Sequence, residues 1–355
     1  MNYLNSMLEA IGHTPLLKLN RLGRGLPGNI FVKLEYLNPS GSYKDRMALA
    51  MIEAAERGDT WNGKRLRSGG TVCEASAGNT APAVAFVAAL KGCKARLTVY
   101  APMLRGESTR LKIIAAFGPE VAASRPPSEF LKPEELDRFL AADHDLTYIV
   151  AGKAEAARRE IDDPDTVWLD QIYNPYNYIG QKAIGYEIHE QLEGRVDAWG
   201  CAVGSGATLY GTALALAEKG VKPLTFGVVP TGSEVYMELD KAEAGRGEFR
   251  RSRLMEELAG AMKLTKWQQE KAIVERMLDD GYPDRFFRIG SAEAREVAHR
   301  LSAEEGIFCG MSSGANVAVA LKLAARMPKD SNIVTVIVDR RDRYLGEFPE
   351  EVFIV

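Results

Sequence analysis

The residues of this chain best suited to chemistry are one lysine and three short polar loops. Lys44 stands in Asn38-Pro39-Ser40-Gly41-Ser42-Tyr43-Lys44-Asp45-Arg46-Met47-Ala48, where a Pro/Gly turn closes an expected strand and a serine opens a helix. A cation in the first turn opposes the helix dipole, which lowers an amine's pKa, as burial does. Such a lysine clamps an anion, forms a Schiff base, or is an ordinary solvated residue. Its own stretch leaves all three open.

The loops narrow the choice. Glu74-Ala75-Ser76-Ala77-Gly78-Asn79-Thr80-Ala81 offers Ser76, Asn79 and Thr80 as short polar groups, Gly78 for close backbone approach, and helix-start N–H groups suited to a carboxylate. Its alternative is a plain helix cap by Ser76 or Asn79. Val203-Gly204-Ser205-Gly206-Ala207-Thr208-Leu209-Tyr210-Gly211 has the glycines, hydroxyls and following apolar helix of a phosphate cradle. It lacks the Gly-Lys-Ser/Thr of a nucleotide P-loop, and Leu209 breaks the GxGxxG spacing. Gly310-Met311-Ser312-Ser313-Gly314 presents a hydroxyl for a ligand nitrogen, or a simple turn. A lysine, a carboxylate loop, a phosphate loop and a hydroxyl together suit a phosphorylated cofactor that does the carbanion chemistry itself.

The elements that must position these groups alternate. Strand patterns at 30–35, 71–75, 96–100, 120–123, 198–203, 224–229 and 333–338 are interleaved with helical ones at 42–58, 81–90, 107–117, 207–218 and 314–325. Strands apolar on both faces imply parallel sheets covered on both sides. The fold class is therefore α/β: two three-layer α/β/α units with mainly parallel sheets. Residues 126–165, with helical patterns at 133–142 and 154–161, read as surface elaboration between the units. Residues 236–287 read as a polar, mostly helical region that includes a helix at 266–279.

Composition excludes other classes. The 355 residues are 46% hydrophobic and 26% charged, and 45 basic against 48 acidic residues leave a net charge of −3. This is no nucleic-acid footprint and no polybasic membrane anchor. Cys73, Cys93, Cys201 and Cys309 are scattered in apolar surroundings without CxxC spacing, as small buried hydrophobes are. His13, His144, His189 and His299 are equally scattered, so no metal site is expected. No apolar run reaches membrane-spanning length and the N-terminus has no signal pattern, so a cytoplasmic protein is expected.

From Gly12-His13-Thr14-Pro15-Leu16 to Asp342-Arg343-Tyr344-Leu345 the chain resembles the fold-type II pyridoxal-phosphate enzymes, whose fold is tryptophan synthase beta-subunit-like. Within them it is similar to the cysteine synthase/cystathionine β-synthase group. The resemblance implies pyridoxal 5'-phosphate as cofactor and Lys44 as its Schiff-base lysine and proton carrier. It implies that Asn79 bonds the cofactor's ring hydroxyl, that Gly204, Ser205, Gly206, Ala207 and Thr208 hold its phosphate, and that Ser312 faces its ring nitrogen. Ser76, Ala77, Gly78, Asn79 and Thr80, with Gln171, are the implied substrate-binding residues. Residues 1–40 plus 160–355 are expected to form the larger, cofactor-binding domain. Residues 41–159 then form a smaller mobile domain that carries Lys44 and closes over the substrate.

The implied reaction is β-replacement on an activated L-serine, of the O-acetylserine or O-phosphoserine type, through an aminoacrylate to cysteine or a related β-substituted alanine. Small-molecule amino acids are the expected partners, and a homodimer the expected assembly. Departures from the family pattern bear on specificity. Ala77 replaces a hydroxyl residue beside the substrate, Ala207 replaces a glycine, Gln181 stands nearest to the place of a usual histidine, and 236–285 is altered. The alternatives are a cystathionine- or diaminopropionate-type synthase with a larger amino-acid nucleophile, and a catalytically silent cofactor-binding regulatory homologue.

Overall fold

Strands that are apolar on both faces need a covering layer on each side, and this chain meets that need twice. The computed structural model describes residues 3–99, 108–231, 237–239, 243–244, 249–251 and 253–347. Tyr100, Glu107 and Tyr236, which bound three of the expected segments, lie outside the described residues. The larger sheet has seven strands in the spatial order Leu16–Lys18, Asn29–Leu34, Asn332–Ile337, Ala198–Ala202, Leu224–Pro230, Arg285–Ile289 and Glu243–Ala244. The outermost pair at each edge is antiparallel and the rest are parallel. The smaller sheet, Glu120–Ala123, Lys94–Val99, Thr71–Ala75 and Thr166–Trp168, is wholly parallel. Its last strand lies beyond residue 159, where the smaller domain was expected to end.

Each sheet buries both faces. Along Asn332–Ile337, Ile333 and Ile337 join one core with Ala315, Val317 and Val319 of the helix Met311–Ala324. Val334 and Val336 join the other, with Trp199, Leu209 and Ile184. In the smaller sheet, Val72, Leu97 and Val167 meet Met47 and Met51 of the helix Lys44–Arg57 and Val84 of the helix Thr80–Lys91. Cys73, Ala75 and Trp168 face Val150 and Ala151 of the helix His144–Asp162.

That last helix corrects a sequence expectation. It has 19 residues and covers a sheet face, whereas the sequence suggested surface elaboration with a short helix at 154–161. Its periodicity is masked because Lys153 and Glu155 are buried as ion pairs, with Glu74 and Arg159 respectively. The single helix expected over 266–279 is two, Thr265–Gln269 and Ile273–Asp279. The second starts afresh because Glu275 accepts a hydrogen bond from the Ala272 N–H at 2.6 Å. The helices Tyr176–Gln191 and Ser291–Glu305 and the strand Arg285–Ile289 carried no clear pattern. In the first of these, Gly180 lets the lysine helix come close: a methyl there would lie 2.7 Å from Ala50 Cβ. Cys93 is only half-buried, unlike the other three cysteines. Among the described residues no helix is long and apolar enough to cross a membrane, and no cluster of three or more His, Cys, Asp or Glu is placed to hold a metal ion.

Candidate active site

Lys44 is the first residue of its helix, and the turn before it is held by buried charge. Ser40 bonds Asp45 through both its N–H, at 2.7 Å, and its hydroxyl. Burial pushes the Asp45 carboxyl up to about 6 against those hydrogen bonds. Two residues on, the Arg46 guanidinium donates to both oxygens of buried Glu35, at 2.8 and 2.7 Å, and to Glu187 at 2.7 Å. Glu187 is also 2.6 Å from Lys33. Glu35 in turn accepts from Thr14 and Asn38, and Asn38 accepts from the Gly12 N–H, so the N-terminal Gly-His-Thr segment buttresses the lysine turn. Sequence reasoning missed Glu35, Arg46 and Glu187, because they are far apart in sequence and become partners only on folding.

The Lys44 amine lies over the Tyr43 ring, 4.8 Å from its centre. Burial pushes its pKa down to about 8, and the charge of Lys153 lowers it further against the pull of Glu74. A solvated surface lysine would show none of this, so that alternative falls. Tyr43 itself is tied to Thr208, a residue of the second loop, and its backbone carbonyl accepts from Gln181 at 3.2 Å.

The second loop follows the strand Ala198–Ala202 and opens the helix Ala207–Glu218. Gly206, at φ 82°, starts that helix with no side-chain cap, and a Cβ built on Gly204 would meet nothing within 4 Å. An uncapped helix start beside open space is the local geometry that accepts a phosphate. Asn177 reaches Ser205 of this loop and Gln181 the Tyr43 carbonyl, and each keeps a buried side-chain oxygen without a hydrogen-bond partner among the described residues. The residues present therefore fit pyridoxal phosphate: an amine of lowered pKa and an uncapped helix start behind a glycine loop, joined by the Tyr43–Thr208 contact.

The first loop is not a helix cap. Asn79 occupies the cap position of Thr80–Lys91 but makes no cap bond, and Ser76 accepts from the Gly78 N–H, at 3.2 Å. Asn79 instead donates to Asp339 at 2.6 Å and accepts from Arg343. Thr80 donates to Gln171 at 2.5 Å, and the Gln171 N–H donates to Glu74 at 3.0 Å. Asp339 is a buried carboxylate at the end of the last strand; burial raises its pKa, opposed by hydrogen bonds from Tyr344 and Asn79. Its role as anchor of Asn79 was not read from the sequence, although the Asp342-Arg343-Tyr344-Leu345 segment beside it was noted. Ser312 is exposed in the first turn of its helix and lines a cavity of about 520 Å³ with Asp339 and Tyr344. Its neighbour Ser313 is buried and accepts from the Val338 N–H at 2.9 Å, a structural bond. Lys44 is joined to the phosphate-type loop through Tyr43 and Thr208, Asn177 links that loop to Gln171, Gln171 bonds Thr80, and Ser312 lines the cavity of about 520 Å³.

Two covered parallel sheets with these loops at their carboxyl edges define a fold-type II enzyme built around a lysine. A family model described as pyridoxal-phosphate dependent enzyme matches residues 7–339. The chain belongs to that family. It is 32% identical over 347 residues to cysteine synthase 1 of Emericella nidulans, covering 96% of this chain and 84% of that one. It is 31% identical over 345 residues to cysteine synthase of Staphylococcus aureus, covering 97% and 96%. The solved O-acetylserine dependent cystathionine beta-synthase of Helicobacter pylori is 26% identical, with a TM-score of 0.73 over 100% of both chains. The expected α/β class, the cofactor and the cysteine synthase relationship are thereby established.

Proposed function

We propose that this chain catalyses β-replacement on an activated L-serine of the O-acetylserine or O-phosphoserine type, giving cysteine or a related β-substituted alanine. The observation that carries the reading is the placement of Lys44 at the head of its helix, beside Tyr43 and its contact with Thr208 of the phosphate-type loop, where burial lowers the amine's pKa. A lowered pKa leaves more of the amine unprotonated near neutral pH than in an ordinary lysine. Bound pyridoxal phosphate supplies the electron sink for the bonding pair released at Cα. Lys44 takes the α-proton as the β-substituent leaves with its bonding electrons, and returns it to Cα after the nucleophile has added at Cβ. The Ser76–Thr80 loop and the start of the following helix orient the substrate carboxylate, with Gln171 held against Thr80. Gly204, Ser205, Gly206, Ala207 and Thr208 hold the cofactor phosphate, Asn79 its ring hydroxyl, and Ser312 its ring nitrogen. Movement of the smaller unit over the loop excludes water while Cβ is reactive. A cytoplasmic homodimer is the form in which we expect the enzyme to work.

The cystathionine- and diaminopropionate-type alternative is favoured by one feature, a cavity of about 310 Å³ that adjoins Ala77. The test offers O-acetylserine and O-phosphoserine in turn, with sulfide, homocysteine or glutamate, and identifies products by mass. A mass matching the donor's alanine moiety joined to the nucleophile supports the reading. No product from any pair, with a visible cofactor band intact, leaves the silent homologue instead.

A further inference from the structure

The cavity beside the Ser76–Thr80 loop has no part in holding the cofactor, yet it is built like a binding site. It lies at the carboxyl ends of Thr71–Ala75, Lys94–Val99 and Glu120–Ala123, the edge where parallel sheets take ligands, and has a volume of about 310 Å³. Its opposite wall is the helix His144–Asp162. Three observations say what it takes.

Ser124 lines the cavity, is only 4% exposed, and its hydroxyl has no hydrogen-bond partner among the described residues. A buried hydroxyl left unpaired is costly, and a ligand acceptor removes that cost. Lys153 lines it too, with its ammonium 2.5 Å from Glu74 and both side chains at 1% exposure or less. Glu74 shares its charge with the N–H groups of Ala75, at 2.8 Å, and Gln171, at 3.0 Å, so the field of Lys153 is not fully cancelled. Arg110, whose guanidinium stands over the Tyr344 ring at 4.8 Å, adds a second cation, and among the described lining residues there is no Asp or Glu. Finally, Gly152 stands inside a helix, where glycine is disfavoured, and faces the cavity. A methyl there would lie 3.5 Å from Ala75 Cβ and 3.7 Å from Ser124 Cβ, so its absence keeps the space open.

Resting on the β-replacement reading, we propose that this cavity is a subsite for an acidic group, carboxylate or phosphate, carried by the substituent that leaves or adds at Cβ. Lys153 and Ser124 recognise the acid, and Ala77, which carries no hydroxyl, leaves the way open between subsite and reacting carbon.

The test has two arms on the holoenzyme. In the first, glutarate and inorganic phosphate are titrated by calorimetry into wild type, Ser124→Val and Gly152→Val, with Gly152→Ala as the milder filling. At least one probe binds wild type, and its dissociation constant rises tenfold or more on filling. Absence of binding, or binding that the substitutions leave unchanged, overturns the subsite. In the second arm, kcat/KM is compared for mercaptoacetate against ethanethiol, and for O-phosphoserine against O-acetylserine. Wild type favours the acidic member of at least one pair by tenfold or more, and filling collapses that ratio. The thiol pair assigns the subsite to the adding group, and the donor pair to the leaving group. Ratios near one in wild type for both pairs overturn the proposal. If no pair turns over, the β-replacement reading fails, and the calorimetry still decides whether the cavity binds acids.

Discussion

Asn79 Nδ2 lies 2.6 Å from Asp339 Oδ2, although 260 residues separate them in the chain. The contact joins the loop after the smaller sheet's Thr71–Ala75 strand to the last strand of the larger sheet, so the two loop edges face one cleft. Tyr344 donates to the same oxygen at 2.5 Å, and Arg343 completes the set by donating to Asn79 and, at 2.7 Å, to the Ser40 carbonyl.

Gly41 guards that arrangement. Its φ is 88°, and a Cβ there would sit 2.6 Å from Arg343 Nη2. Gly41→Ala is expected to cost about 1–3 kcal/mol of backbone strain and to push Arg343 off Asn79. A thermal midpoint several degrees lower, with weaker pyridoxal-phosphate affinity, is the expected result; an unchanged affinity would separate Arg343 from the site.

Arg46 joins Glu35 and Glu187 in a buried network, so Arg46→Met leaves Glu35 without its ion-pair partner and Glu187 with Lys33 alone. The expected loss is about 3–5 kcal/mol in denaturant unfolding. Adding Glu35→Gln should recover part of it, since one uncompensated charge is then removed.

Glu187 gives a pH signature. Burial pushes its carboxyl up, but the Arg46 hydrogen bond and charge, with those of Lys33, outweigh this and hold it at about 2. An acid depressed in the folded state contributes stability above its unfolded pKa of 4.5, and that contribution is lost as pH falls toward 2. Unfolding followed between pH 5 and 2 should therefore lose less stability with falling pH in Glu187→Gln than in wild type, by at most about 3 kcal/mol.

Lys153 and Lys44 are coupled through charge, with Lys153 lowering the Lys44 pKa. Titrating amine reactivity in cofactor-free protein should give a midpoint near 8 for Lys44, moved upward in Lys153→Met. A midpoint that stays put would place Lys153 outside the field of Lys44.

The serine pair separates two roles. Ser313→Ala strips the Val338 N–H of its buried acceptor and should cost about 1–3 kcal/mol. Ser312→Ala, on an exposed side chain, should leave stability within about 0.5 kcal/mol while altering the cofactor's absorption and turnover. The reverse pattern would move the nitrogen contact from Ser312 to Ser313.

Local pattern alone was enough for much of this protein. The α/β alternation, the Gly58 and Gly92 helix stops at φ 86° and 70°, and the boundaries of Thr71–Ala75 and Ala207–Glu218 follow from apolar periodicity and glycine's tolerance of left-handed backbone. The turn before Lys44 and the glycine loop before Ala207–Glu218 were legible for the same reason, as short-range features, whereas the expected serine-led helix starts at Lys44 with no side-chain cap. What local pattern cannot carry is which distant polar groups will share a buried volume. The full extent of the 19-residue helix His144–Asp162, beyond its expected part at 154–161, was hidden because its buried Lys153 and Glu155 look like surface residues until Glu74 and Arg159 are placed beside them. Asp339 as the partner of Asn79 and the Arg46–Glu35–Glu187 network exist only once the two units are packed, and the open space between Ser124 and Gly152 only once the helix His144–Asp162 covers the smaller sheet. Charge burial is decided by partners and partners by topology, and so Lys44 could be singled out in the sequence while its lowered pKa and its surroundings belonged to the tertiary structure.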